Sequence, residues 1–314
     1  MGIVSGVNPR LLAVLGATLL ATSVALALFL QQGSKPPQKS APPVTTTTKT
    51  TPPTTTTAPP PTTTAPPPAP PPTRVAMSWS NAGAIVVHTH DVDPTWLGRQ
   101  MRNAGFGWVA IYLGSTGRAY PIDSGWVYRF TLASGLPVGG WSLLAGYPHS
   151  DAGFAATQLK KNGLSFYIAD AESDYQAKPG ASQSFVTAFR KLEPTMTAGL
   201  SSFCDANGIG LAPWARAGFA FLPQAYVNDF GASVSPAACV RAATAFFPIS
   251  AIHPTVGSYH GQKGWVRAQQ YTRLLAKAGT TGFSVYPAET AMSANDWQAY
   301  GRAIASMRIA VRVR

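Results

Sequence analysis

Residues 75–314 predict an α/β domain folded as a (β/α)8 barrel of the TIM type. Three observations carry that expectation. Short β-prone apolar runs and longer helical runs alternate through the segment eight times over. About 240 residues is the usual span of eight such units. No glycine-rich phosphate loop follows any of the strands, which removes the main support for the competing doubly wound sheet.

Each element has its own signal. The first strand is expected over 84–88, and Asp93 followed by Pro94 caps a helix reaching about Ala104. The second strand spans 107–113, and the next helix is expected to be capped by Asp123 and closed by Gly135. The third strand spans 137–144. Asp151 is expected to cap a helix whose last turn carries Lys160 and Lys161, favourably placed for its dipole. The fourth strand, 165–171, precedes a helix over 181–192, which stops before Pro194. A fifth strand over 196–203 leads to a short helix over 213–217 and a sixth strand over 219–226. Ser235-Pro236 opens a helix ending near Phe247, followed by the seventh strand over 250–256. A helix over 264–278 ends at Gly279, and the eighth strand covers 282–286. Ser293 with Asp296 three residues later resembles a capping box and starts the last helix, to about Met307.

The segments before the domain are of a different kind. Residues 11–30 form an unbroken apolar run of the length of one transmembrane helix. Segment 1–33 is therefore expected to be a membrane anchor, with a cleaved signal as the competitor. Segment 34–74 is nearly all Pro, Thr, Ala and Lys, has little to bury, and is expected to be a disordered stalk. At roughly 3 Å per residue it would reach on the order of 100 Å. Anchor, stalk and domain together predict an extracytoplasmic domain held at a membrane, or secreted if the first segment is removed.

The chain has 24 Lys and Arg against 12 Asp and Glu. Five of the bases (Arg10, Lys35, Lys39, Lys49 and Arg74) precede residue 75 and all the acids follow it, so the domain carries a formal +7. That charge suits an anionic surface such as a wall polymer, while no basic cluster is joined to a nucleic-acid reading motif. Cys204 and Cys239 have the option of pairing in an oxidising compartment, but spacing alone does not place them in range.

Chemistry in such a barrel collects where the strands end. The fourth strand ends in Asp170-Ala-Glu172, and side chains two apart on a strand face the same way. Paired carboxylates are the apparatus of glycoside hydrolysis, one as acid and one steadying the oxocarbenium centre. Glu172, behind an apolar strand and beside Asp170, is the better acid, because desolvation and a like charge both raise its pKa. Asp170, or Asp91 after strand one, is the second carboxylate. Tyr112, Trp141, Tyr147, Gln224, Tyr226, Tyr259, Tyr286 and Glu289 fall near the same rim as candidates for binding a sugar chain. Asp174 is expected to lie past the strand and face solvent. No cofactor is expected.

An Asp-x-Glu pair closing strand four, preceded by Phe166-Tyr167-Ile168, resembles the family 25 glycoside hydrolases, the lysozyme-type muramidases, and their glycosidase-like relatives. The resemblance implies Glu172 as acid, Asp170 as its partner, and Asp91 as the strand-one aspartate lining the site. It further implies peptidoglycan as the polysaccharide partner. The chain departs from that family around strand one, which reads Val87-His-Thr-His-Asp-Val-Asp93, and has only Glu289 as the acid near strand eight. Two other readings stand beside it. His88-x-His90 resembles the metal-binding opening of amidohydrolase barrels, though no histidines follow strands five and six. A non-catalytic, glycan-binding barrel would keep the aromatic rim without needing an acid.

Overall fold

A computed structural model describes residues 76–312, apart from 124, 177, 179, 207, 290 and 291 and the side chains beyond 307. The expected membrane helix and stalk lie outside the described residues. Among those described, no helix is long and apolar enough to cross a membrane.

Eight parallel strands close on themselves. They are β1 (Gly83–Val86), β2 (Trp108–Ser115), β3 (Val138–Leu143), β4 (Phe166–Asp170), β5 (Thr197–Phe203), β6 (Ala220–Gln224), β7 (Thr255–Gly257) and β8 (Ser284–Tyr286). Each pairs with the next in sequence, and β1 pairs with both β2 and β8, which completes the barrel. Closure leaves no exposed parallel edge among the eight. Around them run α1 (Pro94–Ala104), α2 (Trp126–Ser134), α3 (Pro148–Lys161), α4 (Ala181–Leu192), α5 (Leu211–Arg216), α6 (Pro236–Ala243), α7 (Ala268–Ala276) and α8 (Ala294–Arg312).

Most expected boundaries agree with the structure within a few residues, and the exceptions have identifiable causes. Asp93 caps α1 by accepting the Thr95 amide at 2.8 Å, as its position before proline implies. Asp123 does not cap α2. Gly125 holds that position, and Asp123 instead receives the Gly125 amide at 3.0 Å and pairs with Arg129. Asp151 is not a cap either. Helix α3 starts earlier, at Pro148, and Asp151 is buried inside its first turn. Its carboxylate accepts the amides of Ala145 and Tyr147 and the hydroxyls of Thr116 and Tyr175. The helix expected from residue 264 starts only at Ala268, because Gly264-Trp265 pairs antiparallel with His260-Gly261. Ser293 and Asp296 form the reciprocal cap at the start of α8.

Alternation along the strands sorts the side chains into two cores. Val109, Ile111 and Leu113 of β2 and Tyr167 and Ala169 of β4 face the helices. Trp108, Ala110 and Tyr112, with Phe166 and Ile168, face the barrel axis. The bottom of the barrel is plugged by Trp79, Trp108 and Phe166, whose rings meet edge-on with centroids 5.3–5.7 Å apart. Glycines opposite them make the room. A Cβ on Gly83 would lie 2.0 Å from the Trp108 ring, and one on Gly139 would lie 2.4 Å from Phe166. On β4 the inward series runs Phe166, Ile168, Asp170, so the acid caps an apolar column at the opposite end from the plug.

Cys204, just past β5, and Cys239, in α6, form a disulfide with Cα atoms 4.7 Å apart. The fold therefore settles a pairing that sequence left open.

Candidate active site at the carboxyl ends of the strands

Period-two alternation aims Asp170 into the barrel, and the register of the sheet sets its neighbours. Asp170 lies beside Ser201 of β5, and Gln224 lies one strand further on. The Gln224 side-chain amide donates to Asp170 Oδ1 at 3.0 Å and to Glu172 Oε1 at 3.0 Å. The same nitrogen lies 3.3 Å from Ser201 Oγ. One nitrogen thus bridges two carboxylates, and the bridged oxygens can be no more than twice 3.0 Å apart. β4 ends at Asp170, so Glu172 stands on the loop beyond, just before a short helical turn over Ser173–Gln176. Asp170 is buried, whereas Glu172 keeps part of its surface open. Asp174 is exposed.

The pair is an unusual electrostatic object. Burial, then the neighbouring Glu172 charge, push the Asp170 carboxyl well above its usual range, against hydrogen bonds from Ser201 and Gln224. Burial also raises Glu172, and Asp174 adds to the effect, while the Gln224 bond opposes it. Two carboxylates this close in a desolvated cleft resist double ionisation and hold a proton to higher pH than an isolated carboxyl. Such a pair can deliver a proton from Glu172, the member that is only partly buried.

An arc of aromatic rings surrounds the pair. Tyr120 leads to Tyr112 (5.4 Å between centroids), then Trp141 (4.4 Å), Tyr286 (6.1 Å), Tyr226 (5.7 Å) and Tyr259 (6.0 Å). Trp141 is fixed by its indole N–H, which donates to the Val86 carbonyl at 2.9 Å. Burial, then the charge of Asp170, push the Tyr112 hydroxyl up to about 12. Tyr226 and Tyr286 are raised by burial first, and both feel Asp170 and Glu172. All three therefore stay neutral hydroxyls, able to donate to a sugar.

The other expected site residues divide clearly. Asp91 is more than half exposed and lies 3.3 Å from His90, with no hydrogen bond to either Asp170 or Glu172. Tyr147 is exposed too, and its ring is covered by Lys178 at 4.8 Å. Tyr259 donates its hydroxyl to Asp229. Glu289 is held within the rim. One carboxylate oxygen accepts the amides of Val87 and His88, and the other faces His88 Nδ1 at 3.3 Å. Burial raises the Glu289 pKa, but the His88 bonds outweigh it and the net shift is downward. The hydrogen bond that His88 donates to the Glu289 carboxylate is in turn the main cause that raises His88. The His88 and His90 rings meet edge-on with centroids 5.8 Å apart, but each is bonded to a different partner. His88 belongs to Glu289 and His90 contacts Tyr120, and no group of three or more His, Cys, Asp or Glu among the described residues is placed to hold a metal ion. The amidohydrolase-type alternative on His88 and His90 thus finds no ligand set among the described residues.

Two contributors escaped the sequence reading. Ser201 is the inward residue of β5, whereas Ser202 points outward and donates to the Ala171 carbonyl at 2.6 Å. Following the alternation from Gly199, which faces Leu222 and Trp79, would have found Ser201. Tyr120 sits beyond a hairpin of β2 with Arg118–Ala119, where no periodicity points to it.

No family model matches the sequence. No curated protein matches it significantly. Solved structures do resemble the fold. A chitinase from Chromobacterium violaceum ATCC 12472 aligns with a TM-score of 0.54 at 13% identity, covering 72% of this chain and 99% of that one. A GH18 chitinase from Pseudoalteromonas aurantia gives 0.53 at 11%, with coverages of 71% and 99%. The catalytic domain of a hyperthermophilic chitinase from Pyrococcus furiosus gives 0.51 at 12%, with 73% and 96%. These likenesses show the fold, a TIM barrel shared with solved chitinases, and do not single out family 25.

Proposed function

We propose that this chain is a glycoside hydrolase acting on a cell-wall glycan, peptidoglycan, in which Glu172 protonates the glycosidic oxygen and Asp170 steadies the positive charge at the sugar carbon. The observation that carries the reading is the Asp170–Gln224–Glu172 bridge at the strand ends, two carboxyls with raised pKa inside an aromatic arc. The arrangement has the parts that glycosidic cleavage requires: an acid whose pKa is raised, a second carboxyl and flat apolar faces for sugar rings. Residues 11–30 and 34–74 support placing the domain outside the cytoplasm, held at a membrane by a stalk. The solved chitinases share the fold and act as a reminder that a neutral amino-sugar polymer is the first substrate to test beside peptidoglycan.

The closeness of the two carboxylates favours cleavage with retention, since inverting pairs stand roughly 6.5–9.5 Å apart to admit a water. The test is release of reducing ends from peptidoglycan and from chitin by the full chain, with Glu172→Gln alongside. Release that Glu172→Gln abolishes supports the hydrolase. Wall binding without release, unchanged in the variant, would replace it with a glycan-binding barrel.

A further inference from the structure

The outer face of the barrel at α7 and α8 collects positive charge that the linear sequence leaves scattered. Two cavities open there. One, of about 690 Å³, is lined by Trp265, Arg267 and Arg273 among others. The second, of about 650 Å³, lies between α7 and α8 and is lined by Arg273 and Arg302. Arg273 also borders a third, smaller hollow with Lys277 one helical turn further on. No Asp or Glu lines any of the three. Among the described residues, none of these four cations takes part in an ion pair. The hydroxyls of Thr280 and Thr281, which line the cavity between the helices, are buried without a hydrogen-bond partner. Trp265 stands 45% exposed at the edge of the first cavity.

We infer that this face is a second glycan site, a groove for an anionic polysaccharide whose carboxylate or phosphodiester groups pair with Arg267, Arg273, Lys277 and Arg302. Exposed cations on one face sum into a field that attracts a polyanion and is felt over a Debye length of about 8–10 Å. Guanidinium groups are suited to carboxylate and phosphate oxygens. The exposed Trp265 indole offers an apolar face on which a sugar ring can lie, which favours a polysaccharide over a plain polyanion. Arg273 stands on α7, with Lys277 at its C-terminal end, and Arg302 on α8, while Trp265 and Arg267 belong to the segment that joins β7 to α7. The inference is independent of whether Asp170 and Glu172 perform chemistry.

The experiment measures binding of the full chain to polygalacturonate, with neutral dextran and double-stranded DNA as comparisons, across a salt series. Arg273→Glu with Arg302→Glu is expected to weaken polygalacturonate binding at least about tenfold and to flatten its salt dependence. Trp265→Ala is expected to weaken it severalfold while leaving the salt dependence unchanged. Thermal melting confirms that the exposed substitutions leave the fold intact, and reducing-end release reports separately on the cleft. Undiminished binding by the charge-reversed variant overturns the proposal. So does DNA binding tighter than polygalacturonate binding that is insensitive to Trp265→Ala, which would make the groove a nucleic-acid surface.

Discussion

At the scale of single residues, the central group is neither carboxylate but Gln224, whose amide joins them. An amide can donate to both carboxyls without adding charge, so it orients them while lowering their pKa values less than burial raises them. Glu172→Gln is expected to lower the rate of glycan cleavage by roughly 10²–10⁴-fold with folding unaffected, as measured by product release and melting. The pair also predicts a pH dependence of stability. A carboxyl whose pKa is raised on folding contributes its stability fully below its unfolded value, near 4, and loses it as pH rises through the folded value. Stability should therefore fall as pH climbs above about 4, and Asp170→Asn should flatten that slope. Urea midpoints at several pH values check it, and an unchanged slope would count against the buried pair. The Glu289–His88 contact behaves differently. The lowered Glu289 stabilises above the unfolded carboxyl pKa and fails as pH falls through its folded value. The raised His88 stabilises below the imidazole pKa and fails as pH rises through its own folded value. Glu289→Ala is expected to cost about 1–3 kcal/mol in the window between, because one buried and one partly buried amide lose their acceptor.

At the scale of elements, β4 shows how one pattern serves fold and chemistry together. Its inward column of Phe166, Ile168 and Asp170 fills the barrel from below and delivers an acid at the top. The plug beneath depends on absent side chains as much as on present ones. Gly83→Ala would drive a methyl into the Trp108 ring and is expected to destabilise by about 2–3 kcal/mol. Denaturant unfolding checks this, and a neutral effect would show that the bottom of the barrel is looser than its edge-on ring contacts indicate. Element order and most boundaries were legible in the sequence because caps and periodicity are local. Asp93 before Pro94 and Gly135 after α2 act through neighbours a few residues away. Asp151 was misread for the opposite reason. Its donors include Thr116 and Tyr175, far off in sequence, and nothing local distinguishes a buried hub from a cap.

At the scale of the whole molecule, closure between β1 and β8 brings residues about 200 apart into contact, as Glu289 with His88 illustrates. The Cys204–Cys239 disulfide adds a covalent tie across 35 residues between β5 and α6. By loop-closure entropy a tie of that length contributes about 3–4 kcal/mol. Reduction, or a Cys204→Ser with Cys239→Ser variant, is expected to lower the urea midpoint accordingly. A midpoint insensitive to reductant would mean that the bridge is dispensable.

The sequence by itself determined the eightfold alternation, the acidic end of strand four and the aromatic character of the rim. These follow from local periodicity, and a barrel converts strand ends into one rim. Only the tertiary structure decided which of the rim residues act together. It placed Gln224 between the acids, assigned Glu289 to His88, left Asp91 and Tyr147 at the exposed margin, and drew Arg273 and Arg302 onto one face. Register across strands and the packing of distant helices make those choices, and both depend on distances that no linear spacing contains.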